Sequence, residues 1–220
     1  MPFENRYHPM NTEKFIINVG RQLGSGGRSI GKELAKRFAI KYYDKQLLEI
    51  ASKQSGLQEK FFERADEKAS KVLGGGLFGS RFPFAGEGLL GGNNYLSNDQ
   101  LFKIQSDVMR DLAEKESSLF VGRCADYILR DHPRCVNIFV SASMEARVMA
   151  LQNRNEGTTV EEILDILEKA DKKRASYYNY YSNKSWGMAS SYHLCIESSA
   201  LGIEKTTDFI EQFVREKLGL

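Results

Sequence analysis

The sequence has little cysteine, histidine or proline, and no long apolar run. Cys124, Cys135 and Cys195 are odd in number and include no CxxC pair, and His8, His132 and His193 share no motif. These absences exclude a disulfide framework and a zinc site of recognised spacing. They point instead to reduced thiols in a cytoplasmic protein, with the histidines as surface or satisfied core residues. No stretch has the roughly 20 apolar residues of a membrane span. The polar N-terminus, with Pro2 and Pro9, lacks a signal-peptide core. A formal net charge of +2 gives no general attraction for nucleic acid or a membrane surface. What remains is 41% apolar and 27% charged residues over 220 positions, an ordinary globular balance. The expectation is a flexible tail over residues 1–13 and one domain over 14–220.

Period and punctuation lay out the domain. Lys14 to Val19 (KFIINV) is a β-branched apolar run ended by Gly20, the pattern of a buried strand. From Arg28 the period becomes helical, with Ile30, Leu34, Ala35 and Phe38 on one face. Ile40 to Tyr43 reads as a second strand, and Asp44 can cap a helix over about 45–52. A charged helix over 57–70 and a glycine-rich stretch to Asn98 form an insert at about 57–98, either a functional loop or a disordered one. Ser97 with Gln100 resembles a capping box opening a helix to about Lys115.

Strands follow at 118–121, 135–141 and 192–196. Helices follow at about 124–130, 143–153 and 203–217. The longest is capped by Thr158 with Glu161 and carries an apolar stripe of Val160, Ile163, Leu164, Leu167 and Ala170. Strands alternating with helices predict an α/β fold, a parallel β-sheet with helices on both faces. In such sheets ligands sit beyond the carboxyl ends of the strands, where Gly20 to Ser29 and Gly122-Arg123 fall.

Gly24-Ser25-Gly26-Gly27-Arg28-Ser29 leaves a strand and opens a helix. Such a turn aims backbone N–H groups and the positive end of the helix dipole at one point, as in the P-loop that cradles phosphates. The standard motif is GxxxxGK[ST], whose Lys reaches the phosphates and whose hydroxyl holds magnesium. With Gly27-Arg28-Ser29 in the Gly-Lys-Ser places, Gln22 stands where the first Gly belongs and Arg28 has to supply the charge. A tight strand-to-helix turn without ligand is the other reading.

Several stretches together resemble the cytidylate kinase family and its cytidylate kinase-like relatives. FIINVGRQLGSGGRSIGKELAKRF is similar to the family's strand, P-loop and first helix. YYDKQLL places Asp44 at the substrate-side Asp, LFVGRCADYIL resembles the Gly-Arg-Asp segment, and DKKRASYYNYY lies where the Arg-bearing lid lies. HLCIESSALGIEKTTDFI resembles the closing strand and helix. The chain departs from that pattern in three places: the P-loop Lys is absent, Cys124 replaces the acid of Gly-Arg-Asp with Asp126 nearby, and Ile50 stands where an Arg follows the substrate-side Asp.

The resemblance implies a P-loop NTPase-like fold and ATP-dependent phosphoryl transfer to a nucleoside monophosphate, with CMP or dCMP as acceptor and with ATP and Mg2+ as cofactors. On that basis Gly24, Ser25, Gly26, Gly27 and Arg28 hold the donor phosphates and Ser29 is a magnesium ligand. Arg123 binds the acceptor phosphate through its planar fork, and Asp44 and Asp126 recognise the acceptor's sugar or base. Lys172, Lys173 and Arg174 belong to a lid at about 171–190, so that Arg28, Arg123 and Arg174 carry catalysis. Asp171, Arg174, Tyr178 and Tyr181 share one helical face.

Other readings stand beside these: a solvated basic face for the lid, an N-cap for Asp44, an ion pair for Arg123, and packing for Tyr177, Tyr178, Tyr180 and Tyr181. Trp186 beside Gly187 reads as a loop anchor. A regulatory protein that binds nucleotide with little or no turnover is the alternative function, and a kinase for another small phosphate acceptor is a third. The expected partners are nucleotides, not nucleic acid or membrane; the sequence leaves the oligomeric state open.

Overall fold

In the computed structural model of the chain, residues 13–44, 50, 98–154 and 157–220 are described. The tail over 1–12, the helix expected over 45–52 apart from residue 50, the helix expected over 57–70, most of the insert at 57–98, and Ser97 of the expected capping box lie outside the described residues.

Five strands form one sheet in the order β2-β3-β1-β4-β5: β1 (Ile16–Arg21), β2 (Lys41–Tyr43), β3 (Ser118–Val121), β4 (Cys135–Ser141) and β5 (Leu194–Glu197). Every neighbouring pair is parallel. The connections therefore cross over through helices: α1 (Gly27–Arg37), α2 (Asn98–Lys115), α3 (Ala125–Ile128), α4 (Met144–Gln152), α5 (Val160–Ser182) and α6 (Gly202–Leu218).

β1 is the centre, and its alternation builds both faces. Ile17 and Val19 meet Ile30 and Leu34 of α1 and Ile210 and Val214 of α6. Ile16 faces the other way, into a cluster with Phe120, Val108, Met109 and Tyr178. A third cluster, Leu23, Leu151, Ile163, Leu167 and Ala170, seats α4 and α5 on the turn after β1. Burying such side chains contributes roughly 1.5–3 kcal/mol each.

The expected elements recur with shifted edges. β1 runs two residues past Val19, because β4 supplies partners for Gly20 and Arg21 opposite Phe139 and Val140. Gly20 does not end the strand. A methyl group there would stand 2.9 Å from the Phe139 ring, so the glycine serves close packing. The capping box of α5 is Thr159 with Glu162 instead of Thr158 with Glu161. Two adjacent threonines followed by two adjacent glutamates make the spacing ambiguous, and the extended backbone of Thr159 decides it. On the same helix Val160 and Leu164 are exposed, whereas Ile163, Leu167 and Ala170 are buried. No helix among the described residues is long and apolar enough to cross a membrane.

Candidate functional site

The turn from β1 into α1 is the first part of the site. Gly26 caps α1 with φ 72°, a left-handed conformation that side chains rarely adopt. The first helical hydrogen bond runs from Ile30 N–H to Gly26 C=O at 3.0 Å, so the amides of Gly27, Arg28 and Ser29 precede the ladder. Such first-turn N–H groups are without helical acceptors, and α1 adds the positive end of its dipole.

Three other elements hold this turn in place. The Asp171 carboxylate of α5 accepts from Leu23 N–H at 2.9 Å, and Arg147 Nε of α4 donates to Leu23 C=O at 2.7 Å. Ser198, between β5 and α6, donates through Oγ to Ser25 C=O at 2.7 Å. Arg147 also pairs with Asp171, and Arg174 Nη1 donates to Arg21 C=O at 3.2 Å. A loop fixed from several sides at little cost on ligand binding is preorganised.

A pocket opens beside the loop, beyond the carboxyl ends of the strands. Arg21 reaches it from β1, Asp44 from the end of β2, Arg123 and Asp126 from the end of β3, and Lys173 and Arg174 from α5. Four cations face two carboxylates, one of which is held toward its neutral form. Asp126 is buried at 7% exposure and accepts from Tyr178 Oη–H at 2.7 Å, and desolvation raises its pKa above the ordinary value. Burial lowers the pKa of Lys173, helped by the charge of Arg123. Burial also lowers that of Arg21, against the attraction of Asp44. Cations crowded in a partly desolvated cleft produce a positive potential suited to phosphate.

Backbone strain marks the same place. Gly122, Arg123 and Cys124 take φ values of 74°, 61° and 56° in succession, and two of the three are not glycine. Residues held in this region cluster at functional sites. Arg123 and Cys124 both line the pocket, and Cys124, its thiol pKa raised by burial, also belongs to the core cluster with Ile16 and Phe120. Tyr177, Tyr178, Trp186 and Tyr192 complete the wall. Trp186 packs edge-on against Phe139 with centroids 5.1 Å apart, the anchoring role expected of it. Tyr181 donates to Asp99 and Tyr180 is exposed.

The structure therefore gathers Asp44, Arg123, Asp126, Lys173 and Arg174 in one pocket, whereas Gly24 to Ser29 are not among its lining residues and join it in the chain through Arg21. It does not place the Arg28 side chain over the loop. Arg28 Nε lies 2.9 Å from Asp44 Oδ2, a salt bridge that draws the side chain toward β2. Ser29 is exposed on the first turn of α1, and Lys172 points to solvent. His193 is engaged, its Nδ1 accepting from Asn137 N–H at 2.9 Å.

Sequence reasoning missed Arg21, Asn18, Arg147 and Ser198. Asn18 left a signal: an amide within an apolar strand. It is 2% exposed and its Oδ1 has no hydrogen-bond partner among the described residues, yet it lines the pocket. A buried polar atom left without a partner is uncommon in a folded protein and marks Asn18 as a position to test. No group of three or more His, Cys, Asp or Glu able to hold a metal occurs among the described residues.

The family model of the cytidylate kinase-like family matches residues 16–200. A solved structure of an uncharacterized protein from Eubacterium ventriosum is similar at 27% identity and a TM-score of 0.66, covering 91% of this chain and 98% of its own. Shikimate kinase from Bacteroides thetaiotaomicron shares the fold at 13% identity and a TM-score of 0.52, covering 94% of this chain and 99% of its own. A gluconokinase from Sinorhizobium meliloti shares it at 10% identity and a TM-score of 0.53, covering 94% and 96%. Comparison with curated proteins found no match. With its P-loop kinase sheet order, its glycine turn at the head of α1 and the family match over most of its length, the chain belongs to the cytidylate kinase-like family.

Proposed function

We propose that the protein transfers the terminal phosphoryl group of ATP to a small acceptor bearing a phosphate, a nucleoside monophosphate of the CMP or dCMP kind. The observation that carries this reading is the convergence of Arg123, Lys173 and Arg174 on a pocket that Asn18 to Arg21 of β1, the strand leading into the glycine loop, also line. Phosphoryl transfer needs positioning and positive charge more than covalent chemistry. In the reaction, an acceptor phosphate oxygen forms a bond to the γ-phosphorus, the bond from that phosphorus to the bridging oxygen breaks, and ADP leaves. The amides of Arg28 and Ser29 hold donor phosphate oxygens, and a Mg2+ ion carried on those phosphates would neutralise their charge, with Ser29 Oγ on the first turn of α1 as the hydroxyl that could reach it. Arg123 grips the acceptor's phosphate. Asn18, Asp126 and Asp44 form the polar wall available to its sugar or base. Lys173 and Arg174 close the pocket against water.

The test is ADP release by the purified protein with ATP and Mg2+, against nucleoside monophosphates, nucleosides and small phosphate-accepting metabolites. Acceptor-dependent release with CMP or dCMP is the expected result. Saturable ATP binding with no turnover on any acceptor is the result for a regulatory nucleotide binder, and release with a different acceptor class reassigns the substrate.

A further inference from the structure

Arg21 is the last residue of β1, and its side chain turns back over the start of α1. A Cβ at Gly27 would stand 2.6 Å from Arg21 Cβ and 3.2 Å from Arg21 Cγ. A Cβ at Gly122 would overlap Arg21 Nη1. The side chain thus runs from Gly27, at the first helical position of α1, to Gly122, at the end of β3. Gly27 leaves no room for a side chain because Arg21 Cβ stands beside it, while Gly122, held at φ 74°, gives its open face to the end of the Arg21 side chain.

Gly27 follows the left-handed cap Gly26. In the standard motif the residue after that last loop glycine is the lysine that reaches the phosphates. In this fold the lysine's place is therefore Gly27, one residue before the Arg28 expected from the sequence, which moves the motif's hydroxyl place from Ser29 to Arg28, and the space beside Gly27 is filled by Arg21. Arg28, one residue further on, is pulled to Asp44 at 2.9 Å. The guanidinium of Arg21 approaches Asp44 only to 3.8 Å, beyond hydrogen-bond distance, and makes no side-chain hydrogen bond among the described residues. Its side chain is 15% exposed and lines the pocket. A desolvated guanidinium with unused N–H groups beside a phosphate loop is a phosphate ligand in waiting.

The geometry points to Arg21 as the cation of the phosphate loop, reaching in from the strand in place of the missing lysine and contacting the donor's terminal phosphates. This rests on the kinase reading and deepens it. A planar fork reaching from β1 contacts two phosphate oxygens at once, where a lysine on α1 offers a point charge.

The test is calorimetric binding of Mg2+·ATP and of inorganic pyrophosphate to the wild type, Arg21→Met, Arg28→Met and the double variant Arg21→Gly/Gly27→Lys. The double variant removes Cβ at position 21 because that atom blocks any side chain at 27. Arg21→Met is expected to bind both ligands about tenfold or more weaker than Arg28→Met does, and its residual pyrophosphate affinity is expected to vary less with ionic strength. The double variant is expected to recover most of the loss, a rescue that a purely structural Arg21 would not show. Thermal melts establish that each variant is folded, and if the double variant is not, the two single variants decide. Unchanged binding in Arg21→Met, or an equal or larger loss in Arg28→Met, overturns the assignment. A wild type that binds neither ligand overturns the kinase reading and this inference with it.

Discussion

Asp126 shows how the site uses single residues against stability. Its carboxyl is buried between Tyr178 and the strand ends, and desolvation raises its pKa from the ordinary 3.8. A carboxyl whose folded pKa is raised favours the native state while protonated. That contribution is complete below the unfolded pKa and is lost as pH rises through the folded one. Asp126→Asn, which cannot ionise, is therefore expected to raise the melting temperature at neutral pH and to flatten the stability profile above pH 3.8 while weakening acceptor binding. Melts across pH, with acceptor titrations alongside, check both. Gly122 is the second case. At φ 74°, with Arg21 Nη1 where a methyl group would sit, Gly122→Ala is expected to cost about 1–2 kcal/mol from the backbone alone. Because it also displaces Arg21, urea titration should show a stability loss and calorimetry a loss of ATP affinity. Arg123 was legible in the sequence because it follows the end of a strand, and Arg174 because it shares a helical face with Asp171 and Tyr178. Arg21 was not, because linear spacing cannot say which of two arginines flanking a glycine loop turns over it. That depends on Gly26 fixing the first residue of α1 and on Asp44 drawing Arg28 aside.

At the scale of elements, α5 binds the site together. Its Asp171 accepts from Leu23 N–H and pairs with Arg147 and Arg174, whose side chains are 5% and 7% exposed. Of the segment expected as a lid at about 171–190, residues 171–182 are the second half of this continuous helix, whose Asp171 holds the glycine loop at Leu23. The helical spacing of Asp171, Arg174 and Tyr178 predicted their common face. Their partner across the fold, Arg147 on α4, follows only from tertiary packing. Removing Asp171 would leave two buried guanidinium groups facing each other. Asp171→Ala is expected to destabilise the fold by about 3–5 kcal/mol, read by urea unfolding. Asp171→Asn, which retains an acceptor for Leu23 N–H, is expected to lose less.

Across the whole molecule, the order β2-β3-β1-β4-β5 puts the ends of β1, β2 and β3 side by side. Residues from positions 18 to 192 consequently meet in one pocket. The alternation of apolar runs and helical periods made the parallel α/β sheet readable, since a strand buried on both faces has to be apolar throughout. The positions of the charges across that sheet were not readable, because register between distant strands is a tertiary property. On the proposed function the two tasks divide within this one pocket: the loop after β1, with Arg21, serves the donor, and the strained turn after β3, with Arg123, serves the acceptor. The most direct measurement is steady-state ADP release by the wild type and Arg123→Ala, with ATP and acceptor varied independently. The account predicts that Arg123→Ala loses about 100-fold or more in kcat/KM for the acceptor while the KM for ATP changes little. Acceptor kinetics unchanged in Arg123→Ala, or a loss confined to ATP, would contradict it.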